Sequence, residues 1–261
     1  MNVTRLIQTV SAGAVSGLLL VSVLPSTAAA AAAPATGAAP TTVERDDTAA
    51  KLRGEARAQG CEEVKCIALT FDDGPGEYTD ELLDTLEEKD ALATFYVLGS
   101  KVEGNPEALE RMRDGGHEIG NHSWKHDDLA GLSAGEIEKD MDRTDDAVRE
   151  VTGEDPQSMR PPYGSLDDTV RDTVDQPMVL WDVDTLDWQS RDSDAVTEKT
   201  LDNAAPGSVV LFHDIHESTV DAIPDVLEGL AEDGYHFVTV NDLFGEDEME
   251  PGNAYSDARS R

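Results

Sequence analysis

The chain has 261 residues, of which 55 are Asp or Glu and 20 are Lys or Arg, so its formal net charge is −35. An electric field of that sign repels nucleic acids and anionic membrane surfaces, and both are therefore excluded as predicted partners. The length accommodates one catalytic domain with tails, and we expect a monomer.

The first 60 residues are predicted to lie outside the folded domain. Residues 1–30 combine one early positive charge, an apolar stretch and small residues at a candidate cleavage site, which is typical of a secretory signal peptide. An N-terminal membrane anchor is the alternative, although Ser, Gly and Thr dilute the apolar stretch and no other segment is long enough to span a bilayer. Residues 31–60 are rich in Ala, Pro, Thr and charged residues and are predicted to form a linker or a weak helix before the folded domain. We therefore expect a secreted, extracellular protein.

The chain contains two cysteines, Cys61 and Cys66. An even number of cysteines in an exported protein favours a disulfide, and the Cα spacing of a disulfide requires the chain between them to turn back on itself. A metal-binding or redox pair is the alternative, but the spacing is not C-x-x-C and no second Cys or His pair is near in sequence. The sequence therefore predicts a Cys61–Cys66 disulfide.

Short apolar runs and charged helical segments alternate over residues 61–245, which we predict to be the catalytic domain. The predicted strands cover residues 67–71, 93–98, 117–120, 178–183, 208–212 and 237–240, with a further short strand at Met159. The predicted helices cover residues 79–89, 106–113, 133–151, 194–203 and 219–232. Such alternation predicts a mostly parallel sheet with crossover helices.

The length of this segment limits the architecture. It is too short for a typical barrel of eight βα units, so we predict an α/β fold that is a distorted (β/α) barrel with fewer than eight units, seven being the expected number. Residues 246–261 are acidic and polar and include Pro251-Gly252, and we predict that they form a loose acidic tail.

Polar clusters follow five of the β-prone runs. In a parallel α/β fold these positions are the carboxyl ends of the strands, where binding and catalytic sites are built, so the five clusters should converge on one face. Their sequences are DDGP from Asp72, NHSWKH from Asn121, RPPYG from Arg160, DVDTLDW from Asp182 and FHD from Phe212.

Two of these clusters indicate a metal site. His122 and His126 are four residues apart, so on a helical turn both imidazoles would project from the same side and could share a metal ion. One of the adjacent carboxylates Asp72 and Asp73 could supply a third ligand while the other reaches the reacting water. Two His and one carboxylate with an open position are typical of catalytic zinc, which lowers the pKa of bound water to about 7.

Taken together, the five clusters resemble the motifs of the polysaccharide deacetylases of carbohydrate esterase family 4. The matching motifs are TFDDGP, HSWKH, RPPYG, DTLDW and LFHD; they occur in that family's order, and the resemblance covers residues 66–244. It implies a distorted barrel with fewer than eight units. It also implies a metal-dependent hydrolase that removes acetyl groups from a polysaccharide or oligosaccharide.

The resemblance further implies a role for each motif. It implies that a divalent metal, with Zn²⁺ as the expected ion, is held by Asp73, His122 and His126. It implies that Asp72 is the catalytic base, oriented by Arg160, and that His213 is the general acid, with Asp187 as its partner. The other implied roles are an oxyanion-binding backbone N–H at Tyr163 and an acetyl pocket walled by Trp188 and Leu211.

Several nearby polar residues have weaker claims. We interpret His117 as structural, and His216 and His236 match no motif. Three further carboxylates are candidates for contacting and orienting the catalytic or metal-binding side chains. They belong to Asp182, Asp184 and Asp214.

Three functions remain open at this stage. The first is N-deacetylation of chitin-type or peptidoglycan-type N-acetylglucosamine, and the second is O-deacetylation of acetylated xylan by the same residues. The third is a sugar-binding module without turnover, which would have no need of both Asp72 and His213, so an enzyme is favoured. The charge of −35 slightly favours neutral N-acetylglucosamine oligomers over anionic polymers.

Overall fold

The computed structural model describes residues 60–61, 63–245 and 248–259. The predicted signal peptide at residues 1–30 and all but the last residue of the predicted linker lie outside these described residues. Within the described ranges, no helix is both long enough and apolar enough to cross a membrane.

Parallel strands form the centre of the domain. They are β1 (Lys65–Asp72), β2 (Thr94–Val97), β3 (Glu118–Asn121), β4 (Met178–Val179), β5 (Val183–Asp184), β6 (Val209–His213), β7 (Tyr235–Phe237) and β8 (Ala254–Tyr255). The main sheet has six strands in the order β3-β2-β1-β6-β5, with β7 also paired to β1. β4 and β8 form a second, two-stranded parallel sheet.

The two sheets are connected at Met159. This residue makes parallel bridges with Asn121 at the end of β3 and with Met178 in β4. Residues 180–182 then lead from β4 into β5, which pairs with β6, and β6 pairs with β1. The predicted α/β class, with mostly parallel strands and crossover helices, is confirmed, whereas closure into a barrel of seven units stays a prediction.

Helices follow most of the strands. They are α1 (Thr79–Glu88), α2 (Gly99–Val102), α3 (Pro106–Asp114), α4 (Ala134–Thr152), α5 (Asp168–Thr173), α6 (Asp187–Ser190), α7 (Ser193–Asn203), α8 (Glu217–Glu232) and α9 (Val240–Phe244). Short 3₁₀ turns cover Leu129–Gly131 and Pro162–Gly164. All five predicted helices are present, within two residues at each end.

Local sequence explains where the longer helices begin. α4 starts with a capping box, in which Ser133 and Glu136 satisfy each other's backbone N–H groups. α3 has Pro106 at its first position, where a missing N–H costs nothing. In α7 the Asp192 side chain accepts a hydrogen bond from Ala195 N at 2.9 Å.

The core lies between the strands and the helices. Every residue of β1 after Lys65 is buried, as expected for a parallel strand that is covered on both faces. The Phe71 ring stacks between Phe95 and Phe212, with ring centroids 5.4 and 5.3 Å apart. Buried residues of α1 and α8 complete this cluster, including Leu82 and Ile223.

The disulfide that the sequence predicts is present. Cys61 and Cys66 are bonded, with their Cα atoms 5.4 Å apart. The chain turns between them, and Glu63 N donates a hydrogen bond to Gly60 O at 3.1 Å.

Two predicted strands differ from the structure. The strand predicted at 237–240 ends at Phe237, because the Thr239 side chain accepts a hydrogen bond from Asp242 N at 3.1 Å and caps α9. The strand predicted at 178–183 is two short strands, β4 and β5, which pair with different neighbours. Apolar runs predicted both segments, but such runs do not reveal where a strand changes partner.

The predicted loose tail at 246–261 is wrong for its described part. Ala254–Tyr255 form β8, which pairs with β4, and the Tyr255 ring meets Phe244 edge-on with centroids 5.6 Å apart. Arg259 then pairs with Asp182 at 2.7 Å. The acidic composition of this segment does not indicate that it pairs with a strand. The pairing requires the otherwise free edge of β4.

The aromatic stack allows a prediction of how much the free energy of unfolding falls when one of its rings is removed. Phe212→Ala should lower the free energy of unfolding by about 3–5 kcal/mol, because it removes a fully buried ring and leaves a cavity beside Phe71. Denaturant unfolding monitored by circular dichroism measures this change. The control, Glu198→Ala on the exposed face of α7, should stay within about 0.5 kcal/mol of wild type. Equal effects of the two substitutions would contradict this description of the core.

Candidate active site

The polar clusters meet at the carboxyl ends of the strands. Asp72 is the last residue of β1 and His213 is the last residue of β6, and the two residues are paired in the register of these adjacent strands. Asn121 ends β3, so His122 directly follows that strand. The predicted convergence of these clusters is therefore seen in the structure.

Three side chains form a candidate metal site. The ligand atoms of Asp73, His122 and His126 all lie within 4.8 Å of one another. The Asp73 Oδ1 atom is 3.6 Å from His122 Nε2 and 3.5 Å from His126 Nε2. Ligand atoms around a tetrahedral zinc, each about 2.0–2.1 Å from the ion, lie about 3.4 Å apart. The three side chains thus fit a divalent metal as they stand.

The electrostatics of these side chains support the same fit. Asp73 Oδ1 is buried and has no hydrogen-bond partner within the described structure, which is rare for a carboxylate oxygen. His122 Nδ1 lies 2.7 Å from the carbonyl oxygen of Arg160, so Nδ1 carries the proton and Nε2 is free to bind a metal. Burial lowers the pKa of His122 to about 3, which keeps its ring in the neutral, metal-binding form.

The segment that carries both histidines is a loop and not the predicted helical turn. Ser123 and His126 have φ angles of 68° and 67°, in the left-handed region. Side chains hold these turns: Ser123 N donates to Asn121 Oδ1 at 2.7 Å, and Trp124 N donates to Asp140 Oδ1 at 2.7 Å. The two imidazole centroids are still only 5.0 Å apart. The spacing predicted the meeting of the rings correctly, but polar contacts to β3 and α4 produce it.

Arg160 is fully buried and holds Asp72. Its Nη1 atom donates to Asp72 Oδ1 and to Thr70 Oγ1, each at 2.7 Å. Its Nε and Nη2 atoms donate to the carbonyl oxygens of Val179 and Leu180, each at 2.9 Å. These bonds leave the guanidinium one orientation, and they fix the carboxylate of Asp72 in turn.

Asp72 borders the metal site. Its second oxygen, Oδ2, lies 3.6 Å from His122 Nε2. Burial raises the pKa of the Asp72 carboxyl, and the positive charge of Arg160 opposes this rise without cancelling it. A carboxylate whose pKa is raised accepts a proton more readily at neutral pH, as a general base must.

His213 and Asp187 form a hydrogen-bonded pair on the other side of the site. His213 Nδ1 lies 2.9 Å from Asp187 Oδ1, and the backbone N–H of His213 donates to Asp187 Oδ2 at 2.7 Å. Asp187 is fully buried and also accepts hydrogen bonds from Thr219 Oγ1 and Trp188 N, each at 2.8 Å. This carboxylate therefore orients the imidazole and leaves its Nε2 atom available.

The pair keeps His213 charged. Burial disfavours the imidazolium, but the hydrogen bond to Asp187 and the negative charges of Asp187, Asp72 and Asp73 outweigh it and raise the pKa of His213 to about 9. For Asp187, burial acts to raise the pKa, but the hydrogen bond and charge of His213 dominate and lower it. At neutral pH, therefore, His213 carries a proton that it can donate.

Two aromatic side chains stand exposed beside these groups. Tyr163 and Trp188 are 69% and 48% exposed. The Tyr163 ring meets the His126 ring edge-on, with centroids 4.5 Å apart. The hydrogen bonds of the 3₁₀ turn begin at Gly164 N, which donates to Pro161 O at 2.9 Å, so the turn itself does not use the Tyr163 N–H.

Leu211 lies on β6 two residues before His213, so both side chains are on the same face of the strand. It is buried, and it is opposite Thr70 in the register between β6 and β1. This placement agrees with the predicted pocket wall, which stays a prediction.

Other polar candidates lie apart from the site or cap turns. Asp182 directly precedes β5, and its side chain accepts hydrogen bonds from Ser208 Oγ and Val209 N, at the start of β6, at 2.8 and 2.7 Å. Asp184 accepts from Leu186 N at 2.9 Å. His117, interpreted as structural, accepts a hydrogen bond from Ala93 N at 3.2 Å.

Sequence reasoning did not single out Thr219, Asp140 and Thr70, which support the site. Thr219 and Asp140 lie on helices that carry many polar residues. No spacing pattern in the sequence distinguishes these two from the polar residues on the surface. Thr70 offered a detectable signal, because it is a polar residue inside an otherwise apolar strand. Its hydroxyl donates to Val210 O at 2.7 Å and accepts from Arg160.

Comparison with known proteins shows close similarity to deacetylases. The family model described as polysaccharide deacetylase matches residues 59–177. The peptidoglycan-N-acetylglucosamine deacetylase PgdA of Listeria monocytogenes is 43% identical over 194 residues, which are 74% of this chain and 41% of PgdA. The chain therefore spans about two fifths of the length of this relative.

Two solved structures are similar to this chain over three quarters of its length. A structure of T48 deacetylase with substrate has a TM-score of 0.74 and 47% identity, covering 75% of this chain and 98% of that chain. A family 4 acetyl xylan esterase from Clostridium thermocellum, in complex with a cobalt ion, has a TM-score of 0.71 and 30% identity, covering 75% of this chain and 100% of that chain.

The His213–Asp187 pair predicts an observable titration. In metal-free protein His213 should titrate with a pKa of about 9, and Asp187→Asn should lower this pKa, because the effect of burial is then opposed only by the negative charges of Asp72 and Asp73. The folded-state pKa exceeds the ordinary value, so the stabilisation from this pair is complete below about pH 6.5 and is lost as the pH rises through about 9. NMR titration of the ring measures the pKa in both proteins.

Thr219→Val is the control for this titration. It removes one hydrogen bond to Asp187 but keeps the carboxylate charge, so the pKa of His213 should fall less than in Asp187→Asn. An unchanged pKa of His213 in Asp187→Asn would contradict the pairing.

Proposed function

From the fact that this chain belongs to the polysaccharide deacetylase family, we propose that it is a secreted, metal-dependent hydrolase that removes N-acetyl groups from polysaccharides. Its proposed substrates contain N-acetylglucosamine, as chitin and peptidoglycan do, and the name of the Listeria relative supports this choice. One observation carries the proposal. A candidate base, Asp72, and a candidate acid, His213, are paired in the register of two adjacent strands. They lie next to three clustered side chains that could bind a metal.

The metal would be held by Asp73, His122 and His126. Two imidazoles and one carboxylate favour Zn²⁺, although the similar acetyl xylan esterase structure contains cobalt. When bound, the ion supplies Lewis-acid polarisation of the acetyl carbonyl and of the attacking water.

The side chains around the metal site account for the proton transfers. Arg160 binds Asp72 Oδ1, so Oδ2 is the atom that accepts the proton of the attacking water. The Tyr163 N–H is proposed to donate to the developing oxyanion, a contribution of about 2.7–4 kcal/mol for one such donor. His213 then protonates the leaving nitrogen through Nε2, because Asp187 binds Nδ1. The products are acetate and a free amino sugar.

The substrate pocket is proposed between Trp188 and Leu211, which would enclose the acetyl methyl. The exposed ring of Trp188 and the exposed ring of Tyr163 offer apolar faces to a sugar. The net charge of −35 disfavours dense polyanions as substrates, although salt at physiological strength screens this field beyond about 8 Å. Secretion is supported by the predicted signal peptide and by the disulfide.

O-deacetylation of acetylxylan is the second candidate activity. The acetyl xylan esterase from Clostridium thermocellum shares the fold at 30% identity, and the same base, acid and metal-binding residues could serve an ester. A sugar-binding module without turnover would not require the hydrogen-bonded networks around both Asp72 and His213.

The two adjacent carboxylates should separate metal binding from catalysis. Asp73→Ala should weaken binding of Zn²⁺ by more than about 100-fold, since even the partners of metal ligands contribute about 10–100-fold. Asp72→Asn should retain the metal and lower kcat by about 10²–10⁴-fold, because it removes the base. Calorimetric titration with Zn²⁺ and an assay of acetate release measure the two effects.

A hydrogen-bonded carboxylate away from the site provides the control for these variants. Asp182, directly before β5, bonds to Val209 N at the end of β6 opposite to His213, so Asp182→Asn should keep both metal binding and activity. If Asp72→Asn lost the metal and Asp73→Ala kept it, the assignment within the pair would be reversed.

Substrate choice is tested by acetate release from chito-oligomers, peptidoglycan and acetylxylan, assayed side by side at equal metal loading. We expect the highest kcat/KM on a substrate that contains N-acetylglucosamine, because His213 is placed to protonate an amine leaving group. The Asp72→Asn variant should be inactive on each polymer, which excludes a contaminating esterase. A kcat/KM at least tenfold higher on acetylxylan would make the protein an O-deacetylase, and binding without acetate release would make it a sugar-binding module.

A further inference from the structure

We propose that Asp214 is a positioning residue that holds the metal-binding turn, defined here as residues 73–76, in the conformation that binds the metal. This inference rests on the proposed function, because it requires that Asp73 is a metal ligand. Asp214 itself would not touch the metal. It would act on the turn through the Thr79 hydroxyl and by direct contact with Gly74.

Asp214 is buried in an unusual way. Its side chain is fully inaccessible, and its Oδ1 atom has no hydrogen-bond partner among the described residues. Burying a carboxylate oxygen without a partner costs free energy, so a carboxylate in such a position calls for an explanation. A smaller apolar residue would avoid this cost if Asp214 only filled space.

The Asp214 carboxylate lies directly against Gly74 in the metal-binding turn. A Cβ atom built on Gly74 would lie 2.5 Å from both carboxylate oxygens of Asp214, closer than any real contact. Gly74 is not among the described residues with positive φ, so its backbone conformation does not itself require glycine. Glycine is needed at this position because the carboxylate occupies the space of a side chain.

A hydrogen-bond relay provides the second link between Asp214 and the turn. The Thr79 hydroxyl donates to Asp214 Oδ2 and accepts a hydrogen bond from Gly76 N at 2.7 Å. A hydroxyl has one proton, so the carboxylate at Asp214 directs that proton away from Gly76 and leaves a lone pair for the Gly76 N–H.

Two further donors hold the same turn. Lys101 Nζ donates to the carbonyl oxygen of Asp73 at 2.7 Å, and Leu98 N donates to the carbonyl oxygen of Gly74 at 3.0 Å. The turn is therefore clamped by these two donors and by Asp214. Loss of Asp214 or of its relay would leave the turn held by the two donors alone.

The position of Asp214 in the chain gives this clamp a functional consequence. Asp214 directly follows His213, and the register between β1 and β6 places His213 opposite Asp72. The segment that presents the candidate acid thus also supports the turn that presents Asp73. The contact of Asp214 with Gly74 would fix the acid relative to the metal ligand.

Variants of Thr79 test the relay in the full chain. Thr79→Val keeps the shape of the side chain but removes the hydroxyl, and it should weaken Co²⁺ and Zn²⁺ binding about 10–100-fold, as loss of a ligand's supporting partner does. Thr79→Ser restores the hydroxyl and should bind within about threefold of wild type. Thr200→Val is the matched control, because it removes another buried threonine hydroxyl, which bonds to Val196 O at 2.8 Å in α7. It should leave metal affinity unchanged.

Variants of Gly74 test the direct contact. Gly74→Ala should lower metal affinity at least about tenfold, because the new methyl group displaces the turn from Asp214. Gly74→Ala combined with Asp214→Ala should bind metal more tightly than the product of the two single effects, since the second change makes room for the methyl group. Calorimetric titration gives the dissociation constants, and the Co²⁺ absorption spectrum reports the ligand geometry independently of activity.

The outcomes separate this inference from the proposed function. If Thr79→Val and Gly74→Ala bound metal as tightly as wild type, or if the effects at Gly74 and Asp214 were additive, the positioning role of Asp214 would be overturned while the metal site stood. A wild-type protein with no metal affinity, or an Asp73→Ala variant with unchanged affinity, would refute both proposals.

Discussion

The site depends on the burial of one positive charge, the guanidinium of Arg160. An uncompensated charge in a protein interior is prohibitively costly, so each donor of Arg160 needs a partner. Those partners are Asp72 and Thr70 in β1 and two carbonyl oxygens at the end of β4, while the Tyr96 ring in β2 lies 4.3 Å from the guanidinium carbon. Three strands must keep their relative positions for this compensation to hold, and this requirement makes the site rigid.

Arg160 also connects the two halves of the proposed chemistry. Its side chain orients Asp72, and its own carbonyl oxygen accepts the hydrogen bond from His122 Nδ1. One residue thus sets the orientation of the candidate base and the tautomer of a candidate metal ligand. The register between β1 and β6 then places the backbone of His213 next to that of Asp72, and Asp187 orients the His213 ring.

Two histidines take different charge states within this small region, His122 being neutral and His213 protonated. Burial lowers the pKa of His122 to about 3, and the neighbouring imidazole of His126 acts in the same direction. His213 is bonded to the buried carboxylate of Asp187, and its pKa rises to about 9. The environment therefore suits the first histidine to metal binding and the second to proton donation, and groups with separated pKa values are typical of acid–base sites.

Much of the architecture could be predicted from the sequence, because it depends on local patterns. Strands that alternate with helices imply parallel pairing, and parallel strands bring the residues after them to one edge, so the meeting of Asp72, His122 and His213 was predictable. The spacing of His122 and His126 predicted that their rings meet, although a helical turn was the wrong reason. The short disulfide was equally local.

Only the tertiary structure decided which partners hold these groups. The loop around Ser123 depends on Asp140 of α4, the orientation of Asp187 depends on Thr219, and the C-terminal segment docks because β4 has a free edge. The contact of Asp214 with Gly74 joins positions on two different strands' ends and has no signature in either local sequence. Periodicity specifies the face on which a residue lies, whereas hydrogen bonds and close packing depend on distances that exist only once the whole chain has folded.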